Sequence, residues 1–416
     1  MKTKISFHKL KLIGVVLLLS LVVGACTAPA PQNTESPAAT ELPATDLPIA
    51  TQTQEEVPAS PQSALSPAAT LLPAAIEAPL IDSPSIIFIE MIDEVYGWGI
   101  TETEVVSTND GGVTWYNVTP PGLTDVGYSV FTDFLDRSHA WIQIVDPNNY
   151  PNGGTIYHTS DGGLKWEAFE TPFSAGDLEF VDENNGWMMA DLGVGAGSMA
   201  IAIFQTTNGG ETWTRTYTND PSVEGAGDSL PLGGIKVTMV PLDMSTAWVG
   251  GVIYSSGSTY LFRTDDSGKT WSQVTMMLPG KAQSSELTIE QVKFLTPMQG
   301  FLAIRLTSTT QETIIFTTND GGETWDPAPA ALPNSGVLEI PSAQEMIFYY
   351  NNQFYVTKDA AGTFEVIDPN IAFGDSLTDM SFVNASTGWV ITTSPTNQRT
   401  LYKTADGGVT WFPLIP

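Results

Sequence analysis

Seven short segments place a carboxylate, or its amide, at the same point of a common pattern. They read "TNDGGVTW" (108–115), "TSDGGLKW" (159–166), "TTNGGETW" (206–213), "TDDSGKTW" (264–271), "TNDGGETW" (318–325), "TKDAAGTF" (357–364) and "TADGGVTW" (404–411). The third position holds Asp110, Asp161, Asn208, Asp266, Asp320, Asp359 and Asp406 in turn. A repeated carboxylate could be a reactive group or a part of a turn. Asn208 decides for the turn, because an amide keeps the acceptor oxygen and loses the charge that catalysis needs. The aspartate accepts hydrogen bonds from N–H groups of its own turn. The glycines that follow, such as Gly111 and Gly112, allow positive φ, and the first-position Thr adds a side-chain bond to the backbone.

Other residues offer chemistry outside these turns. Glycoside hydrolysis needs two carboxylates about 5 to 10 Å apart. Asp177, Glu290 and Asp379 precede expected first strands and could look into a ring centre, although a chain with 46 acidic residues places some there by chance. Tyr128, Tyr150 and Tyr217 are the sugar-stacking candidates of the same face, and Arg305 and Arg399 are the arginines expected to approach it. Sialidase chemistry needs three arginines on the substrate carboxylate and is excluded on that count. Only His139 and His158 follow the N-terminal segment, and Cys26 is the single cysteine, so no zinc site is expected. "TDDSG" (264–268) lacks the later ligands of a calcium loop. The glycine pairs lie in hairpin turns rather than before helices, so no phosphate loop is read, and no serine elbow occurs. No cofactor is expected.

The elements that must hold these residues repeat as well. A second signature precedes each turn: "FIEMIDEVYGW" to Trp98, "FTDFLDRSHAW" to Trp141, "FVDENNGW" to Trp187, "VPLDMSTAW" to Trp248, "FLTPMQGF" to Phe301, the weaker "IPSAQEMIF" to Phe348, and "FVNASTGW" to Trp389. Each reads as a short apolar strand, a polar turn, and a second strand opening near an aromatic residue. A third strand, the Thr-x-Asp turn and a fourth strand follow. A period near fifty residues with four short antiparallel strands predicts an all-β, seven-bladed β-propeller over residues 85–416. All eleven tryptophans fall in the two aromatic slots, where large rings fill the wedge between blades. Seven copies around a ring cannot converge on one substrate. The turns joining strands 1–2 and 3–4 share one face, while the 2–3 loops and the crossings between blades share the face where ligands are expected. The long segments 146–154, 191–200 and 217–234 map to that second face.

The N-terminal part is a different material. Lys2, Lys4, Lys9 and Lys11 precede an apolar run from Leu12 to Ala25, shorter than the ~20 residues that span a bilayer. This reads as a secretory signal over 1–25. Its end, "VVGAC", resembles a bacterial lipobox, which implies cleavage before Cys26 and lipid attachment to its sulfur. Residues 26–84 are rich in Pro, Ala, Thr and Ser and form an expected disordered tether. Its reach is about 45 Å as a coil and about 180 Å extended. Formal charge is −30, with 16 basic residues against 46 acidic ones. So acidic a surface repels phosphate backbones, and nucleic-acid binding is excluded. The membrane is reached through the lipid only.

The turns match the Asp-box, or BNR repeat, S/T-x-D-x-G-x-x-W, in six copies closely, with Asn208 in the third. Together with the "F-x-x-x-x-x-G-W" strand pair, the repeat over 85–416 resembles the photosystem II assembly and stability factor-like group. The resemblance implies a non-catalytic seven-bladed scaffold that binds a protein partner. The chain departs from that group in having few arginines: Arg137, Arg215, Arg263, Arg305 and Arg399. The expectation is a monomeric, extracytoplasmic, lipid-anchored propeller that binds a protein or a glycan. The competing reading is an Asp-box glycoside hydrolase.

Overall fold

The computed structural model describes residues 76–127, 130–309, 311–334 and 336–415. The signal, Cys26, the tether up to residue 75 and Tyr128 lie outside them. Among the described residues there is no α-helix. Every named strand pairing is antiparallel, and neighbouring strands follow the chain order of a meander.

The first sheet contains β2 (Phe88–Met91), β3 (Gly97–Ile100), β4 (Val105–Thr108) and β5 (Trp115–Asn117), with β1 (Leu80–Ile81) added outside β5. Pairing therefore begins upstream of residue 85, with Leu80 opposite Tyr116 and Ile81 opposite Trp115. Next come β6 (Val130–Phe134), β7 (Ala140–Ile144), β8 (Gly154–Thr159) and β9 (Glu167–Thr171), then β10 (Gly176–Phe180), β11 (Gly186–Gly195), β12 (Ser198–Thr206) and β13 (Thr214–Thr218). An eight-stranded sheet follows. One half is β14 (Ile235–Pro241), β15 (Ala247–Val252), β16 (Tyr260–Thr264) and β17 (Ser272–Gln273). The other half is β18 (Glu286–Phe294), β19 (Gly300–Thr307), β20 (Gln311–Thr318) and β21 (Asp326–Pro333). A single residue pair, Val252 with Thr288, joins the halves. The last two sheets are β22 (Val337–Glu339), β23 (Met346–Tyr350), β24 (Gln353–Thr357) and β25 (Glu365–Ile367), and β26 (Leu377–Phe382), β27 (Gly388–Thr393), β28 (Arg399–Thr404) and β29 (Phe412–Ile415).

The core lies between sheets rather than within any one of them. Phe88, Trp98 and Ile100 of the first sheet pack with Val130, Phe134 and Ile142 of the second. Trp389, Ile391 and Leu401 of the last sheet pack with Ile89, Val106 and Trp115 of the first. Opening strands also pack side by side: β6 on β10, β10 on β14, β14 on β18, β22 on β26, and β26 on β2. The last sheet thus meets the first, and the arrangement is a β-propeller.

The aromatic slots have distinct jobs. Four of the five first-slot indoles reach across to the neighbouring sheet. Trp98 Nε1 donates to Asp136 O, Trp141 to Gly209 O, Trp187 to Asp243 O and Trp389 to Gly111 O, at 2.7–3.0 Å. Second-slot indoles mostly tie down their own turn: Trp115 donates to Gly112 O, Trp271 to Gly268 O and Trp411 to Gly408 O. The small residue before the first-slot aromatic also has a reason. Phe180 stands opposite Gly186, and Phe294 opposite Gly300. A Cβ at Gly186 would lie 2.7 Å from the Phe180 ring, and one at Gly300 would lie 2.8 Å from Phe294. The phenylalanine of one strand covers the bare backbone of the next, which links the two ends of the "F…GW" signature.

Trp389 both fills the gap between the last and first sheets and ties its indole to Gly111. Trp389→Ala is expected to lower unfolding free energy by ~3–5 kcal/mol. Trp389→Phe, which keeps most of the ring, is expected to cost ~1 kcal/mol. Urea denaturation read by circular dichroism tests both; an unchanged midpoint for the alanine variant would contradict the wedge role.

Candidate functional site

The repeated turns share one hydrogen-bond pattern. Thr108 Oγ1 donates to Asp110 Oδ1 at 3.0 Å and accepts from Gly112 N at 3.0 Å. Asp110 Oδ1 accepts from Thr114 N at 2.9 Å, and Oδ2 takes the Thr114 hydroxyl at 2.6 Å. Asp266, Asp320, Asp359 and Asp406 each take a Thr hydroxyl on one oxygen, a main-chain N–H four residues on, and a second Thr hydroxyl. Asp161 accepts from Thr159 Oγ1 and Lys165 N. Asn208 keeps the pattern without charge: Oδ1 takes Thr206 Oγ1 and Thr212 N, and Nδ2 donates to Thr212 Oγ1. The Thr324 hydroxyl and N–H hold Asp320 down to about 2, and the Thr357 hydroxyl with Thr363 does the same for Asp359. These acids sit at exposed or partly exposed turns and are engaged within their own loops.

The opening strand of each sheet has a free edge toward the axis, so its N–H groups need other partners. Side chains of the adjacent sheet supply them. Phe180 N donates to Asp133 Oδ2 at 2.5 Å, and Met239 N to Asp177 Oδ2 at 2.6 Å. Ile89 N donates to Asp379 Oδ2 and Met91 N to Ser381 Oγ, both at 2.9 Å. Counted back from the last residue of its strand, the acceptor is one or three places earlier, and the donor is in the following sheet. Pro241, which ends β14, has no N–H to satisfy. Asp177 and Asp379, expected to precede their strands, instead lie inside β10 and β26, buried, and clasp the next sheet. Asp133, which sequence reading passed over, does the same work.

Three further groups complete the axial region. Glu290 lies within β18 and pairs with Arg305 at 3.1 Å. Burial raises its carboxyl against the lowering pull of Arg305. Glu339 keeps some accessible surface, yet protein surrounds it deep among the inner strands. Burial pushes its carboxyl up to about 8, against Lys293, with Asp379 and Glu90 adding to the rise.

The face of the 2–3 loops is built differently from expectation. Segment 191–200 is not a loop: β11 and β12 extend to a hairpin tip where Gly195 pairs with Ser198. Segment 219–234 crosses to the next sheet beside that hairpin. Met199 N donates to Leu232 O, and Gly234 N to Gly197 O. Lys236, unremarked in the sequence, is the bolt. Its Nζ donates to the carbonyls of Met199, Pro231, Leu232 and Gly234 at 2.6–3.2 Å and sits 5.0 Å from the centre of the Tyr260 ring. Burial lowers its ammonium to about 8.

The remaining candidates divide. Tyr217 is only 6% exposed, and its hydroxyl accepts from Leu230 N at 2.8 Å, so its ring belongs to the core and not to the open face. Tyr150 is exposed, and burial followed by the Asp191 charge raises its hydroxyl to about 12. Arg399 is buried, and its guanidinium reaches Ser85 Oγ and Glu102 Oε1, both at 3.2 Å, across to the first sheet. His139 leans on Asp136, and His158 stacks on Trp141. Among the described residues no group of three or more His, Cys, Asp or Glu could hold a metal ion.

No protein-family model matches this chain, and no curated protein matches it. Solved structures do. The GH74 xyloglucanase from Xanthomonas campestris aligns with a TM-score of 0.55 at 9% identity, over 82% of this chain and 55% of that one. The chain therefore spans about half the length of that enzyme. YCF48 bound to D1 peptide aligns with a TM-score of 0.49 at 16% identity, over 80% of this chain and 99% of that one. A polysaccharide lyase of family PL25, an ulvan lyase, aligns with a TM-score of 0.48 at 12% identity, over 80% and 96%. The first alignment supports the propeller fold, and at that identity it speaks to the fold alone.

Two outcomes follow. Asp320 and Asp359 have folded-state values below the ordinary unfolded value of about 4. Their contribution is complete above that value and is lost as pH falls toward about 2. Denaturation midpoints should decline over that window, less steeply in Asp320→Asn, which should change stability at neutral pH by no more than ~0.5 kcal/mol. Asp379→Ala strands the buried Ile89 N–H and should cost about 1–3 kcal/mol by the same measurement. A neutral result there would remove the clasp interpretation.

Proposed function

We propose that this chain is a lipid-anchored, extracytoplasmic propeller of seven blades that binds a protein partner on its 2–3 loop face and catalyses no reaction. Support for seven blades comes from the two complete four-stranded halves of the eight-stranded sheet, nearly separate beside five other sheets. Among the described residues, seven apolar clusters also lie each between two neighbouring four-stranded units. The resemblance of the turns to Asp-boxes agrees with their common bonding.

One observation carries the non-catalytic reading. The acids best placed by sequence for glycosidic chemistry are already committed: Asp177 and Asp379 to main-chain N–H groups of adjacent sheets, Glu290 to Arg305. A retaining or inverting hydrolase needs both of its carboxyls open to the scissile bond. Binding, in contrast, needs only an exposed, well-braced loop face.

Xyloglucan and a panel of other polysaccharides incubated with the purified chain should release no new reducing ends. Turnover that disappears in Glu290→Gln while the melting temperature holds would reverse the reading. Crosslinking in native membranes should capture a protein through the 2–3 loop face. Cys26→Ser should move the chain from the membrane fraction to the soluble one, and an unchanged distribution would rule out the lipid.

A further inference from the structure

The open face carries a crest of exposed apolar side chains on three adjacent sheets. Tyr150 lies in the β7–β8 loop, Val194 near the β11–β12 tip, Leu232 in the crossing that follows β13, and Tyr254 in the β15–β16 loop. They are 42%, 64%, 39% and 58% exposed. Contacts link the segments that carry them. Tyr150 interacts with Asp191 at the base of the hairpin. Tyr254 covers the hairpin tip, where a Cβ on Gly197 would stand 3.3 Å from the Tyr254 ring. Met199 N binds Leu232 O, and Ser198 bridges to Gly234. The Lys236 ammonium fastens hairpin and crossing together from below. Large apolar side chains held outward on a braced scaffold mark an interaction surface, and bracing reduces the ordering cost of binding.

Charge selects the occupant. The cations on or beneath this face are neutralised or enclosed: Lys281 by Glu312, Arg305 by Glu290, Arg399 by Glu102, and Lys236 among carbonyls. The carboxylates beside the crest are not. Among the described residues, Asp146, Asp191, Asp220, Glu224 and Asp228 have no cation within ion-pair distance. Glu224 and Asp228 are exposed on the crossing. We infer that the crest of Tyr150, Val194, Leu232 and Tyr254 docks a cationic polypeptide segment that also presents aromatic or aliphatic side chains. This rests on the protein-binding reading above and specifies the chemistry of the partner. The apolar side chains of the segment would cover the crest, and its lysines or arginines would meet the carboxylate rim, where opposite potentials steer encounter.

The test uses the full chain and a labelled synthetic peptide of lysine and tryptophan residues carrying a photo-crosslinker. Binding is read by fluorescence anisotropy, and the crosslinked sites by mass spectrometry. Tyr254→Ala combined with Val194→Ser should weaken binding by ~tenfold. Asp220→Asn, Glu224→Gln and Asp228→Gln together should weaken it by a similar factor. The equal-charge control Glu211→Gln, Glu323→Gln and Glu365→Gln removes exposed carboxylates elsewhere and should change binding by less than about twofold. Crosslinks should fall on 191–200, 220–232 and 254. Equal losses in the two triple variants would mean attraction to bulk charge and would overturn the inference, as would crosslinks confined to other faces. So would a neutral xyloglucan oligosaccharide that binds through Tyr254 while the peptide does not. Protein capture from membranes through a different surface would sink this inference and leave the broader protein-binding reading standing.

Discussion

A strand at the axis of a propeller has no partner on its inner side. Its N–H groups point toward a crowded interior, and a buried unpaired donor costs about 1–3 kcal/mol. This molecule meets that constraint with side chains borrowed from the adjacent sheet. Asp133, Asp177, Asp379 and Ser381 each accept a main-chain N–H of the sheet that follows. Hydrogen bonding of this kind fixes the relative height of neighbouring sheets, which apolar packing alone leaves free to slide. The tryptophans then set the spacing, since their indoles fill the gap and bond across it. Acidic residues that look like chemistry in the sequence are, on this account, part of the frame.

The repeat was legible because its physics is local. Thr, Asp and Gly at fixed offsets specify a turn, and Asn208 shows that the turn needs an acceptor and not a charge. The aromatic slots announced the gaps between sheets. The Gly before Trp98, Trp187, Phe301 and Trp389 was visible as a pattern, but its reason required knowing that Phe180 and Gly186 face each other. Asp177 and Asp379 were visible as acids, while their partners sit 62 and 290 residues away in sequence. No local pattern reports such a pairing. The same holds for Lys236, whose four carbonyls come from two separate stretches of backbone, one of them 37 residues away. Tyr217 was misplaced because a strand residue near a loop can turn either way, and here the hydroxyl of Tyr217 closes on Leu230.

The two faces of the ring are thereby made of different materials. One face is a set of near-identical short turns whose donors and acceptors are satisfied within themselves, with little left to offer a partner. The other holds the long hairpin, the long crossing and the 146–154 loop, all irregular and none repeated. Variation has been concentrated where the frame does not depend on it. The Lys236 ammonium extends the frame into that variable region, so that the hairpin tip and the crossing behave as one unit.

The first and last sheets meet without exchanging a strand. The last sheet consists of β26 to β29 and the first of β2 to β5, with β1 pairing only within its own sheet. Among the described residues, the hydrogen bonds of the seam between them all use side chains: Asp379 and Ser381 on β2, Trp389 on Gly111, Asn384 on Glu94, and Arg399 on Ser85 and Glu102. A mechanical load applied at the N-terminal end meets the two residue pairs of β1 first and these seam contacts next. The molecule would yield by unhinging at this joint, with the other sheets still stacked, and could snap shut again when the tension is released.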